Sequence, residues 1–158
     1  MSDMKHNEIV QELRNRLEAL PPGTASWHIA EADGGYDIII APSKPGSCSL
    51  DLFVHPIIFE AHFGLCFALE NYPLNSSDIF EIYDIVSTGT LKETVWEWRG
   101  RILKIIGQMY FQGQNFTETR IESIFSFFVK TGTPRIVTYL PWENKENSDE
   151  NSENSDSA

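Results

Sequence analysis

Residues 57–70 read IIFEAHFGLCFALE and decide the fold class, because apolar side chains recur there at every second position. Phe59 and Phe63 stand at odd positions, whereas Glu60 stands at an even one. A period of two is typical of a β-strand that buries one face and exposes the other. We therefore predict one long strand in this stretch, bent at Gly64.

Strand and turn signals continue on both sides of this stretch. Residues 32–35 read ADGG and separate two short apolar runs, which predicts a β-hairpin, and a third strand is predicted at 48–54. A second hairpin is predicted from residues 91–98 and 102–111, which flank the turn Arg99-Gly100-Arg101. The alternative for this stretch is one long helix through Trp96 and Ile105, although its glycines and β-branched residues favour the hairpin. A last strand is predicted at 135–140.

Helical spacing of apolar residues marks three further segments. The first covers residues 9–20 and the second runs from Asp78 to Gly89, with Asp78 and Glu81 as a capping pair. The third begins at a Thr117 cap and is closed by Gly132 and Pro134. Its helical spacing comes from Ile121, Ile124, Phe125 and Phe128.

The predicted element order is α-β-β-β-β-α-β-β-α-β. Because hairpins dominate, we predict an α+β fold with a largely antiparallel sheet and the helices packed on one face. The 158 residues fit a single α+β domain at 1–142. Residues 143–158 are rich in Glu, Asn, Ser and Asp and contain no large apolar side chain, so they predict a disordered acidic tail.

Charge is sorted along the chain, whose formal net charge is -11. Residues 1–91 hold 13 acidic and 4 basic side chains, residues 92–142 hold 4 acidic and 7 basic ones, and the tail holds 6 acidic and 1 basic. No Lys or Arg occurs from position 45 to 91. A negative field of this kind attracts basic proteins and repels nucleic acid.

Acidic residues of the predicted strands and second helix are the candidate partner-binding residues. The acidic residues of the second helix would lie on one outward-facing arc. A solvated surface that only maintains solubility explains the acidic residues equally well. The candidates are Asp51, Glu60, Glu70, Asp78, Glu81 and Asp84.

The second predicted hairpin is an alternative hot spot or ligand pocket. It concentrates Trp and Arg, which are over-represented in binding hot spots, although Trp residues that cover the core are the more common explanation. The residues concerned are Trp96, Trp98, Arg99 and Arg101, with His62 and Glu60 as further pocket-lining candidates.

No sequence pattern indicates an enzyme, a cofactor or a metal site. No nucleotide-binding glycine motif and no nucleophile-elbow motif occurs, and Cys48, His55, His62 and Cys66 lack the close spacing of zinc ligands. No export signal or membrane-spanning run is visible, so we expect a cytoplasmic protein with reduced cysteines and no membrane partner.

These features favour a protein-binding domain. The most concrete form is an inhibitor or immunity-type protein that masks a basic partner, such as a nuclease toxin. One alternative is a secretion-type chaperone, which would form a dimer and bind an unfolded segment. A second alternative, from another class, is a small-ligand-binding protein or enzyme with a pocket between sheet and helices.

Overall fold

The computed structural model describes residues 4–123 and 134–143. Within these ranges the chain forms two helices and nine strands. They are α1 (His6–Glu18), β1 (Ala25–Ala32), β2 (Gly35–Pro42), β3 (Leu50–Val54), β4 (Ile58–Phe63), β5 (Phe67–Pro73), α2 (Ser76–Thr88), β6 (Lys92–Trp98), β7 (Arg101–Phe111), β8 (Gln114–Ile121) and β9 (Arg135–Thr138). The fold is α+β, as predicted.

The strands form two antiparallel sheets rather than the single sheet that was predicted. The first is a five-stranded meander in chain order, β1-β2-β3-β4-β5, and the second has the order β8-β7-β6-β9. Every pairing within the two sheets is antiparallel. The predicted hairpins at residues 26–41 and 91–111 are both present.

One hydrophobic core joins both helices to both sheets. Helix α1 buries Ile9 and Leu13, the first sheet contributes Ile38, and the second contributes Val95 and Ile105. Because these residues belong to one contiguous cluster, the inner faces of both sheets are covered and their other faces look away from the core.

The stretch predicted as one bent strand is a hairpin. Strands β4 and β5 pair with each other, and Phe63 lies opposite Phe67 across a turn at Gly64. Gly64 has φ 62°, a left-handed conformation that favours glycine, so the chain reverses there rather than bending.

The predicted third helix is wrong at its beginning, because Thr117 and Ile121 belong to strand β8, which pairs with β7 along its whole length. The observed order therefore has a fifth strand before α2 and an additional strand, β8, directly after β7. The rest of that predicted helix, at 124–133, and the predicted tail beyond residue 143 lie outside the described residues.

Both ends of helix α2 have capping residues. Asn75, rather than the predicted Asp78, is the N-cap, and its side chain accepts a hydrogen bond of 2.9 Å from the Ser77 amide. The helix ends at Gly89, which has φ 70°. Neither helix in the described ranges has the length and apolar character needed to cross a bilayer.

Candidate functional site

The outer face of the first sheet displays a row of side chains that runs across four strands. The register places His28 beside Ile39, Ile39 beside Asp51, and Asp51 beside His62. Their sequence neighbours, such as Ile38, point the other way into the core. Ile39 is 49% exposed although it lies in an interior strand, so no other part of the described chain covers this row.

The adjacent row of the same face is more acidic. Asp37 pairs with Phe53, and Phe53 pairs with Glu60. Glu70 lies on β5 at the bulge opposite Glu60, and it shares the outer face by strand alternation. We call this surface the acidic face: it consists of Asp37, Asp51, Glu60 and Glu70 around Ile39 and Phe53.

The carboxylates of the acidic face are unpaired in the described part of the chain, although Arg120 lines the same groove as Asp51. Within the described ranges, none of the four accepts a side-chain hydrogen bond or forms an ion pair. Strands β1 to β5 contain no Lys or Arg. Neighbouring strands lie about 4.8 Å apart, so the negative charges reinforce one another across the face.

The three predicted carboxylates of α2 lie on a different surface and contact their own chain. Asp78 accepts a hydrogen bond of 2.9 Å from Gln112 Nε2, and Glu81 accepts one of 3.0 Å from the Gln112 amide. Asp84 pairs with Arg16 at 3.4 Å. The structure therefore divides the six predicted residues into three on the acidic face and three that tie α2 to other elements.

The predicted Trp-Arg hairpin forms the tip of the second sheet, between β6 and β7. Trp98 is 51% exposed, and the Arg99 guanidinium lies 4.6 Å from the centre of its ring. Trp96 is half-buried, with Lys104 Nζ 5.4 Å from its ring centre. These residues lie on the second sheet, whereas His62 and Glu60 lie on the first, so they do not line one pocket between sheet and helices.

A buried carboxylate on β6 joins the two sheets. Glu93 is fully buried, and its Oε1 accepts hydrogen bonds of 2.8 Å from the amides of Leu65 and Cys66 in the β4–β5 turn. Its Oε2 accepts a 2.5 Å hydrogen bond from the Tyr139 hydroxyl. This contact holds the turn of one sheet against a strand of the other, and it was not predicted from the sequence.

The two cysteines lie beside Glu93 and are poor nucleophiles. Burial is the main reason that the pKa of the Cys48 thiol rises to about 12, and the negative charge of Glu93 adds to the effect. Burial and Glu93 likewise raise the pKa of Cys66 to about 12. Since the thiolate is the reactive form, neither cysteine is suited to nucleophilic catalysis near neutral pH.

An open groove of about 490 Å³ lies between the β4–β5 turn and β8. Arg120 crosses it, donating a 3.2 Å hydrogen bond from Nη1 to the Leu65 carbonyl. His62 and Asp51 line its edge, so the groove opens onto the acidic face. In the described ranges, no three His, Cys, Asp or Glu side chains are arranged to hold a metal ion.

Several residues of the acidic face were missed in the sequence. Asp37, Ile39 and Phe53 alternate with buried residues in β2 and β3, and the hairpin at 32–35 sets their register. Once the strands are paired, strand alternation therefore predicts that these three residues lie on the same face as Asp51 and Glu60.

Comparison of the chain with protein-family models, with curated proteins and with solved structures found no match.

Proposed function

We propose that the acidic face binds a basic, folded protein and masks it, in the manner of an inhibitor or immunity-type protein that blocks a basic enzyme such as a nuclease. One observation carries this proposal. Four carboxylates that have no partner among the described residues surround two apolar side chains on a sheet face that the described chain leaves uncovered, and the five strands of that sheet contain no Lys or Arg. Strand alternation places these side chains on one face, and no ion pair within the described residues neutralises them.

The arrangement suits association with a cationic protein surface. Unpaired carboxylates steer a positively charged partner during diffusional encounter and disfavour wrong partners. Ile39 and Phe53 supply apolar area at the centre, where protein interfaces bury most of their nonpolar surface. The same field repels the phosphate backbone of nucleic acids, so a protein partner fits better.

We also propose a cytoplasmic location for this protein. Cys48 and Cys66 are both free and buried, which fits a compartment that keeps thiols reduced. A protein that protects a cell from a basic toxin would act there. Localisation of a tagged full-length chain in its native host tests this part of the proposal.

Charge reversal at matched positions tests the role of the acidic face. Asp51→Lys with Glu60→Lys reverses two of its carboxylates, whereas Asp78→Lys with Asp84→Lys makes the same change in net charge on α2. The full-length protein and both double variants serve as baits in host lysate at low salt. We expect a basic protein that elutes with salt to be retained by the wild type and by the α2 variant, and lost by the acidic-face variant.

Binding kinetics with the recovered protein complete the test. The association rate of the wild type should fall steeply as salt rises from about 0.01 M to about 1 M, because screening shortens the range of the attraction. Retention of the partner by the acidic-face double variant, or an equal loss in the α2 variant, would show that this surface is not the binding site.

A further inference from the structure

The outer face of the second sheet carries the charge opposite to that of the acidic face. Lys92 is exposed on β6, and Arg101 is exposed at the start of β7, opposite Trp98. Lys104 lies opposite Trp96 on the same hairpin. We call this surface the basic hairpin face: it consists of Lys92, Trp96, Trp98, Arg99, Arg101 and Lys104.

The four cations of this face have no carboxylate partner among the described residues. In residues 4–123 and 134–143, none of Lys92, Arg99, Arg101 and Lys104 forms an ion pair with a carboxylate. Two of them lie instead over the rings of Trp96 and Trp98. The result is a cationic surface with exposed aromatic area, a composition enriched in binding hot spots.

We propose that the basic hairpin face of one copy docks on the acidic face of a second copy. The two surfaces match in charge, since four unpaired cations meet four unpaired carboxylates. They also match in apolar content, because Trp98 is 51% exposed and Ile39 is 49% exposed. Association would bury both side chains and compensate charges that have no ion-pair partner within the described part of one chain.

This contact joins two molecules rather than two parts of one. Both faces lie on the sides of their sheets that look away from the shared core, so a single chain does not bring them together. Because the two surfaces differ, the contact is head-to-tail and produces a ring or an open chain instead of a symmetric dimer. It also occupies the surface that the basic partner would use, so self-association and partner binding exclude each other.

Analytical ultracentrifugation of the full-length protein tests self-association. At an ionic strength of about 0.01 M we expect the mean mass to rise above the 18.0 kDa monomer with increasing protein concentration, and to return to it at about 1 M. Lys92→Glu with Arg101→Glu should remove the association, and so should Asp51→Lys with Glu60→Lys. The α2 variant Asp78→Lys with Asp84→Lys should associate as the wild type does.

Mixing the two non-associating variants gives the decisive measurement. The acidic-face variant keeps its basic hairpin face and the hairpin variant keeps its acidic face, so an equimolar mixture contains one intact interface and should form heterodimers at low salt. Circular dichroism of each variant confirms that it is folded. A wild type that stays monomeric at every concentration, or a mixture that stays monomeric while the wild type associates, overturns the proposal.

The hairpin variant also separates this inference from the proposed function. Lys92→Glu with Arg101→Glu leaves the acidic face unchanged, so it should lose self-association and still bind the basic partner. Loss of partner binding in the acidic-face variant with no self-association of the wild type would reject this inference alone. Self-association that follows the charge changes, without a basic partner, would reject the proposed function alone.

Discussion

At the scale of single residues, Glu93 is the only charged residue that is fully buried in the described part of the chain. A buried carboxylate is stable only when hydrogen bonds replace its lost hydration. Glu93 obtains them from two backbone amides of the β4–β5 turn and from Tyr139. Gly64 is required beside it, because a Cβ at that position would lie 2.8 Å from Glu93 Oε1.

Replacing Glu93 should therefore destabilise the fold strongly. Glu93→Ala leaves the amides of Leu65 and Cys66 and the Tyr139 hydroxyl without their acceptor, and unsatisfied buried donors cost about 1–3 kcal/mol each. We expect the free energy of unfolding to fall by at least about 3 kcal/mol, measured by urea denaturation.

Tyr139→Phe is the matched control for that measurement. It removes one of the three donors and leaves the carboxylate bound to the turn, so it should cost about 2 kcal/mol, less than Glu93→Ala. If Glu93→Ala were as stable as the wild type, the carboxylate would not be what holds the two sheets together.

At the scale of elements, most strands and turns were predicted from the sequence. The chain reversal that divides residues 57–70 into β4 and β5 was not. Phe63 and Phe67 are paired, so they face the same side of the sheet across the turn. Phe63 and Phe67 are four positions apart, an even number, and the alternation of apolar residues therefore continues in phase from β4 into β5. Periodicity alone could not reveal the reversal, and Gly64 was its only local signal.

Strand β8 shows a second limit of local sequence patterns. Thr117 and Ile121 fit a helix start by spacing, yet they pair with Gln108 and Lys104 of β7. Hydrogen bonds to a neighbouring strand decide the conformation there, and such tertiary pairing overrides weak local preference. The hairpins at 32–35 and 99–101 were predictable because their turn residues carry the signal themselves.

Gly89 and Gly113 both have a left-handed backbone conformation, but only Gly89 is closely packed against other backbone atoms. Gly89 ends α2 with φ 70°, and a Cβ there would contact the Tyr139 carbonyl carbon at 2.9 Å. Gly113 in the β7–β8 turn has φ 72°, and a Cβ there would meet nothing within 4 Å. Substitution of either residue by alanine adds the same conformational strain, but only the first also forces a clash.

We therefore expect Gly113→Ala to lower the free energy of unfolding by about 1–2 kcal/mol, the cost of a non-glycine residue in this conformation. Gly89→Ala should lower it by a further ~1–3 kcal/mol, because backbone atoms near Tyr139 must move. Parallel urea titrations measure the difference. Equal losses in the two variants would mean that the end of α2 adjusts freely to the added methyl group.

At the scale of the whole molecule, the division of charge in the sequence coincides with the division between sheets. The acidic part ends at residue 91, and Lys92 is the first residue of β6, where the second sheet begins. The sequence therefore predicted that the charge changes sign along the chain, but not that the change would coincide with a boundary between two sheets. It did not predict which carboxylates were unpaired, because the pairing of Asp78 and Glu81 depends on the distant turn at Gln112.

Unpaired carboxylates in strands should reduce the stability of the fold. Asp is unfavourable in strands, and Glu60 and Glu70 place like charges on adjacent strands of a molecule whose net charge is -11. A surface selected for binding commonly carries such a cost, because the groups that recognise a partner are not arranged to stabilise their own chain.

Removing these charges should therefore stabilise the protein while weakening its interactions. We expect Asp51→Thr and Glu60→Thr each to raise the free energy of unfolding by up to about 1 kcal/mol, since threonine suits a half-exposed strand and the repulsion is relieved. The gain should shrink at an ionic strength of about 1 M, where the repulsion is screened. Urea denaturation at both ionic strengths measures it. A loss of stability in both variants would mean that these carboxylates support the fold, and the acidic face would then have a structural explanation instead of a functional one.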